Sequence, residues 1–350
     1  MKGVVMLGDR KLEIREFPDP TPGPGEVVLE IKASGMCGSD LKYYRAAGGA
    51  AALGFKASAG PVIAGHEPCG IVVAVGVGVS DREARIGLRA MQHHYRGCGV
   101  CPHCATGWAQ LCVEGVAEVY GATGHGAHAR YMKCPARTLV PLPDELSFDA
   151  GAAISCGTGT AWGALHRLGL TGDQTIAIFG QGPVGLSATL LAAEMGARVI
   201  ALDTCEERLA RAKAFGAEWA IDPAKADSVV QAIRDLTHGL GAHASIDASS
   251  SPRARVEAVR CLRTWGKACF VGEGDTVTLD VSNDLLRRQV TLIGSWTFST
   301  VGQAECARYI ADRAIDIDRL FTDHWRLDQA EEAYRLFDRQ TGGKGVIWPS

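Results

Sequence analysis

At 350 residues the chain is long enough for about two domains of roughly 150 residues each. Its 36 basic and 39 acidic side chains leave a net charge of −3, which excludes the electrostatic footprint of a nucleic-acid or anionic-membrane binder. With 47% apolar and 21% charged residues it falls in the globular range, away from disordered and fibrous chains. No apolar run approaches the ~18 residues of a membrane span, and the opening MKGVVMLGDRKLEIREF lacks the apolar core of a signal peptide. A cytoplasmic location is therefore expected. Two excesses stand out, 43 Gly and 12 Cys. In a reducing compartment so many thiols do not form a disulfide framework, which leaves metal ligands, reactive thiols or small core residues.

In chain order, residues up to about 153 carry short strand-like stretches, such as Val27 to Ala33 and Ile71 to Val75, punctuated by Gly, Pro and Ser. Helical periodicity is scarce there, which predicts a mainly antiparallel, turn-rich domain. The Ala/Gly-rich stretch Ala46 to Ala59 reads as a mobile loop.

Within that region lies Cys98-x-x-Cys101-x-x-Cys104-x7-Cys112. Four thiolates at this spacing can surround Zn²⁺ tetrahedrally, and a closed four-sulfur site leaves no position for substrate, so it is structural. A bacterial-ferredoxin cluster would want a following Cys-Pro, which is absent after Cys112. His93, His94, His103, His125 and His128 crowd the same region and read as loop and cleft-rim residues, because the four-cysteine set is already complete.

From about Asp173 the pattern changes. β-Branched runs at Thr175 to Phe179, Arg198 to Leu202, Glu218 to Ile221, Ala244 to Asp247 and Lys267 to Val271 alternate with helical segments near 184–195, 206–215, 226–237 and 252–263. This alternation predicts βαβ units and a parallel sheet. Gly180-Gln-Gly182-Pro183-Val184-Gly185 matches G-x-G-x-x-G, although at this glycine content about 0.6 such matches arise by chance. Its context carries the weight: a strand runs into it, a helix starts from it, and Asp203 ends the next strand about 20 residues on. Gly180 would allow the tight turn, Gly182 the approach of a pyrophosphate and Gly185 the packing of helix on strand, with the helix N-terminus facing the phosphates. Asp203 can accept from the ribose hydroxyls and would repel a 2′-phosphate, which favours NAD over NADP; Arg208 and Arg211 soften the preference.

The segment from about 295 to 350 holds one amphipathic helix near Gln329 to Phe337 and a strand-like Gly345 to Trp348. It is too short to be a domain, so it must pack on one of the other two. A second set of candidate ligands is dispersed: Cys37 in Gly-Met-Cys-Gly-Ser-Asp, His66 in Gly-His-Glu and Cys156 in Ile-Ser-Cys-Gly-Thr. Spacing alone cannot join them, and each could equally be a core residue.

Taken together, these motifs resemble the zinc-dependent medium-chain alcohol and polyol dehydrogenases over the whole chain. The resemblance implies an α/β plus β fold: a GroES-like, mainly antiparallel catalytic domain at 1–155 and 295–350, with the structural zinc lobe at about 93–113. Into it is inserted a Rossmann, doubly wound parallel-sheet domain at 156–294 that binds NAD. It further implies a catalytic zinc on Cys37, His66 and Cys156, with Glu67 as an exchanging ligand, and a second, structural zinc on the four-cysteine lobe. Ser39 falls on the proton-relay hydroxyl. The relay usually continues to a His three positions further on, where this sequence has Lys42. Thr160 and Val271 match positions that hold the nicotinamide side, and Arg208 matches one near the adenosine ribose. Cys156 is the choice of alcohol dehydrogenases, whereas polyol and threonine members often place Glu nearby. A basic pyrophosphate contact near the C-terminus is not evident at Gly345-Val-Ile-Trp348.

The implied activity is reversible oxidation of a secondary alcohol to a ketone, or of a primary one to an aldehyde, with hydride transfer to NAD. The alternatives are a polyol or sugar dehydrogenase of the same family and a non-catalytic NAD-binding zinc redox sensor. Expected partners are a small alcohol or carbonyl substrate and further copies of the chain, as a homotetramer or homodimer, with neither nucleic acid nor membrane. The other cysteines, Cys69, Cys134, Cys205, Cys261, Cys269 and Cys306, read as core residues.

Overall fold

The computed structural model describes residues 1–47, 60–116 and 118–349, so residues 48–59 of the Ala/Gly-rich stretch lie outside the described residues. The chain divides into two compact units, Met1–Gly159 with Phe298–Ser350, and Thr160–Thr297. No helix among the described residues is long and apolar enough to cross a membrane.

The first unit is built on a seven-stranded sheet. Its path runs Phe321–Arg326, Lys344–Trp348, Glu26–Gly35, Glu67–Val75, Arg89–Gln92 and Leu139–Pro141, and Tyr131–Pro135 pairs with Glu26–Gly35 off that path. Every pairing is antiparallel except Phe321–Arg326 with Lys344–Trp348. Strand alternation puts Val27, Leu29 and Ile31 on one face, where they are buried with Val72, Ala90 and Met132. A second cluster joins Val4, Met36, Leu41 and Ile347 to the C-terminal helix Ala330–Phe337, which buries Ala330, Ala333 and Tyr334 at i, i+3 and i+4. Glu331 and Glu332 occupy the first turn of that helix, where the macrodipole favours negative charge.

The second unit carries a six-stranded parallel sheet in the order Trp219–Ile221, Arg198–Leu202, Thr175–Phe179, Ala242–Asp247, Leu262–Phe270 and Thr291–Gly294. This is the 3-2-1-4-5-6 order of a doubly wound nucleotide fold. The helices between strands are Pro183–Glu194, Glu206–Ala214, Val229–Leu236 and Pro252–Arg260. The first of them is buried all round: Gly185 to Ala192 all lie inside, Ser187 and Thr189 included, so the helix shows no single buried stripe. Ser228 and Ser251 cap the last two by accepting from Gln231 N–H and Ala254 N–H.

Candidate active site and metal centres

Register brings the dispersed ligands together. In the antiparallel pair Glu26–Gly35 and Glu67–Val75, Gly35 lies opposite Glu67, so the residues just beyond the first strand meet those just before the second. Cys37 and His66 thereby become neighbours although 29 positions separate them. Cys156 arrives from the junction between the helices Phe148–Ile154 and Gly157–Leu168. Donor atoms of Cys37, His66, Glu67 and Cys156 all lie within 4.8 Å of one another, and all four residues are buried. Thiolates bound at ~2.3 Å to one tetrahedral zinc stand roughly 3.8 Å apart. The Cys37 and Cys156 sulfurs are separated by 3.8 Å. Two sulfurs, an imidazole and one further position fit zinc in its catalytic donor set.

Asp40 orients this cluster. Its Oδ1 lies 2.7 Å from His66 Nδ1, and its Oδ2 accepts the Cys37 N–H at 2.9 Å. With Nδ1 engaged, Nε2 is the ring nitrogen that faces the thiols, as expected of a metal-binding imidazole backed by a carboxylate. Burial pulls the His66 imidazole down, but the charges of Asp40 and Cys37 outweigh it and raise its pKa well above the ordinary value. The hydrogen bond with Cys156, reinforced by His66, drives the Cys37 thiol well below its usual value, while the same bond and burial raise Cys156.

Ser39 is the N-cap residue of the helix Asp40–Arg45, yet its side chain makes no capping bond. The hydroxyl turns instead to the cluster, 3.2 Å from Cys37 Sγ and 3.1 Å from His66 Nε2. Lys42, at the position the resemblance assigns to a relay histidine, is exposed on the same helix. Glu67 is fully buried and pairs with Lys344. Burial raises the Glu67 carboxyl above its usual value, while the Lys344 ammonium opposes that shift and favours the carboxylate. Lys344 opens the final strand Lys344–Trp348, one residue before the apolar run that marks it in the sequence, and its ammonium faces Glu67.

The four-cysteine lobe is equally well formed. Sulfurs of Cys98 and Cys104, and of Cys101 and Cys112, lie 4.0 Å apart. Backbone N–H groups of Cys98, Cys101 and Cys104 donate to the sulfurs of Cys112, Cys98 and Cys101 at 3.3, 3.3 and 3.5 Å. These donors stabilise thiolate, and the Cys104 N–H first among them lowers Cys101 to about 6. A Cβ on Gly97 would stand 2.5 Å from Cys104 Sγ, so glycine is needed where the chain passes the sulfurs. The set fits a structural zinc.

In the second unit, Gly180 follows its strand at φ 88° and Gly182 is the N-cap of the helix Pro183–Glu194. A Cβ on Gly185 would collide with the Gly180 carbonyl, whereas one on Gly182 would meet nothing within 4 Å. Open space at the second glycine is what an approaching pyrophosphate requires. Asp203 Oδ2 accepts the Gln181 N–H at 2.6 Å and Oδ1 accepts the Cys205 N–H at 2.9 Å, so this carboxylate also holds the glycine loop. Arg208 Nη1 lies 3.9 Å from Asp203. Thr160 is buried in its helix, and the Val271 N–H is spent on the Asp247 carbonyl at 2.9 Å. These residues fit a dinucleotide.

Sequence reasoning assigned no role to Asp40, Tyr334 or Lys344. It also misplaced His93, His94 and His128, which are buried and not on a rim. His93 Nε2 is bonded to the Phe298 carbonyl and His94 Nδ1 to that of Ser155, each within 3.1 Å. Cys205 is half-exposed, unlike the other five cysteines read as core, which are buried.

Comparison with known proteins agrees with this geometry. The alcohol dehydrogenase GroES-like domain family matches residues 23–144 and the zinc-binding dehydrogenase family matches residues 183–313. The chain is 37% identical to the uncharacterized zinc-type alcohol dehydrogenase-like protein YphC of Escherichia coli, across 99% of this chain and 98% of that protein. The chain belongs to the zinc-dependent medium-chain alcohol dehydrogenase family. Sorbitol dehydrogenase of Bacillus subtilis is 30% identical over 95% of this chain and 92% of its own. The solved structure of alcohol dehydrogenase TADH from Thermus sp. ATN1 superposes with a TM-score of 0.88 at 26% identity, covering 99% of both chains. The family's fold, a GroES-like domain with a Rossmann-type domain, is the one seen here.

Proposed function

We propose that this chain is an NAD-dependent zinc alcohol dehydrogenase that interconverts a secondary alcohol and its ketone, carrying one catalytic and one structural zinc. The convergence of Cys37, His66 and Cys156 around a position next to the Ser39 hydroxyl carries this reading. Zinc bound there supplies Lewis acidity that lowers the pKa of a substrate hydroxyl, and NAD accepts the hydride.

The chain's own residues do the rest. Cys37, Cys156 and His66 would hold the metal and leave one position for substrate. Asp40 keeps His66 in the tautomer that presents Nε2. Ser39 Oγ stands against the donor cluster, where it can take the substrate's hydroxyl proton and pass it outward. Glu67, beside the metal position, is held by Lys344 and can exchange onto the metal. Gly180, Gly182, Pro183, Val184 and Gly185 would cradle the pyrophosphate, Asp203 the adenosine ribose with Arg208 beside it, and Thr160 and Val271 the nicotinamide end. The Asp203 carboxylate supports NAD over NADP by repulsion of a 2′-phosphate.

A polyol or sugar substrate is the second reading, favoured by the similarity to sorbitol dehydrogenase. A panel of primary, secondary and polyhydroxy alcohols, with NAD and NADP compared by reduced-cofactor absorbance, tests both. Fastest turnover of a simple secondary alcohol with NAD supports the first reading; a strong preference for polyols or for NADP replaces it.

A further inference from the structure

The carboxylate that orients His66 is itself held by residues far from the metal position. Tyr334, from the helix Ala330–Phe337, places its hydroxyl 3.2 Å from Asp40 Oδ2. The Tyr334 hydroxyl oxygen also lies 2.7 Å from His128 Nε2, and His128 Nδ1 lies 2.7 Å from Ser34 Oγ. Ser34, His128 and Tyr334 have no solvent exposure and Asp40 has 1%.

The chemistry of these groups sets the direction of every bond. Tyr334 has a single hydroxyl proton and donates it to Asp40 Oδ2. The Tyr334 oxygen must then accept from His128 Nε2–H, and the neutral His128 ring must accept the Ser34 hydroxyl proton at Nδ1. Burial pushes the His128 imidazole down to about 4 and the Tyr334 phenol well above its usual range, which keeps both neutral near pH 7. The chain Ser34, His128, Tyr334, Asp40, His66 is therefore fully satisfied and has one polarity, with donors converging on Asp40.

Two features show that the fold is built around it. Gly65, next to His66, sits at φ 89°, and a Cβ there would stand 2.5 Å from His128 Nδ1. Tyr334 lies in an apolar cluster with Val4, Met36, Leu41 and Ile347, where phenylalanine would pack as well without the cost of burying a hydroxyl. The polar side chains thus serve Asp40, and through it the ring of His66.

We propose that Tyr334 and His128 are positioning residues for the Cys37, His66 and Cys156 centre, fixing Asp40 so that His66 Nε2 is held toward the metal. This rests on the zinc reading above. Partners of ligating histidines typically alter metal affinity by about 10- to 100-fold, and residues one step further out should act about 3- to 10-fold.

The test uses the zinc-loaded full chain. Release of zinc to a chromogenic chelator is timed for wild type, Tyr334→Phe, His128→Leu and His128→Gln, and Co²⁺-exchanged samples report the ligand field. Tyr334→Phe is expected to release the zinc at Cys37, His66 and Cys156 about 3- to 10-fold faster and to shift the Co²⁺ spectrum, with release from the four-cysteine lobe unchanged. His128→Gln, which keeps a donor and an acceptor, should lie closer to wild type than His128→Leu. Wild-type release and spectra in both Tyr334→Phe and His128→Leu overturn the proposal. Equal acceleration at both zinc sites overturns it too, since that is general destabilisation. If wild type holds one zinc and Cys37→Ser keeps it, the zinc reading fails first, and this inference with it.

Discussion

The Lys344 ammonium is paired with the Glu67 carboxylate inside the fold, where the two side chains are exposed by only 1% and 0%, and it also donates to the Met36 carbonyl at 3.0 Å. This pair ties the last strand of the chain to the residue that follows His66. It is the only acid in the buried donor set of two thiols, an imidazole and a carboxyl. Replacement of Lys344 by Met forces Glu67 either to remain an unpaired buried charge or to take up a proton. The expected loss is about 3 kcal/mol of stability, measured by urea unfolding. The double variant Lys344→Met with Glu67→Gln should recover much of it, because no charge is then stranded. Additive losses in the double variant would show that the two groups do not depend on each other.

The four-cysteine lobe has almost no apolar core of its own: its helix Pro102–Ala105 buries no residue. A zinc bound there would supply its order. Cys104→Ser is expected to lose one zinc per chain and to make the 98–112 segment the first site cut by protease, with the Cys37 centre still loaded. A lobe that stays protease-resistant with one zinc fewer would show that the protein alone holds it.

The buried His128 ring makes stability depend on pH. Its folded value of about 4 lies below the ordinary 6.5, so between these values the unfolded chain binds the extra proton. The stability that neutral His128 contributes is present above pH 6.5 and is lost as pH falls, by about 2 kcal/mol at pH 5. Urea unfolding of wild type and His128→Gln at pH 7 and pH 5 should show the smaller decline in the variant. Equal declines would mean that this imidazole is not what acid attacks.

The second unit was largely legible in the sequence. The strands Thr175–Phe179 and Arg198–Leu202 coincide with the predicted ones, because a parallel strand buried on both faces reads as an unbroken β-branched run ended by glycine or a charge. Its helix Val229–Leu236 is shorter than the predicted 226–237, since Ser228 caps it late. The helix Thr300–Asp312 went unread: it buries only Gln303, Cys306, Ala307 and Ile310, a narrow stripe that includes a polar residue.

In the first unit the four-cysteine lobe was legible from its spacing, whereas the dispersed ligands were legible only through resemblance. Cys37, His66 and Cys156 meet through strand register and a helix junction, and no spacing rule records either. Asp40 stands three residues after Cys37, a spacing that lets its carboxylate accept the Cys37 N–H. Tyr334 had no signal beyond its place on an apolar helical face, where a hydroxyl that reaches a carboxylate 294 positions away looks like any core aromatic.

The most direct measurement is zinc content together with NADH formation for wild type, Cys37→Ser and Cys156→Ser. The account predicts about two zinc per wild-type chain and turnover of at least one alcohol, with each variant reduced to one zinc and at least about 10³-fold slower, as expected when a Lewis acid is lost. Full zinc content and undiminished turnover in either variant would contradict it.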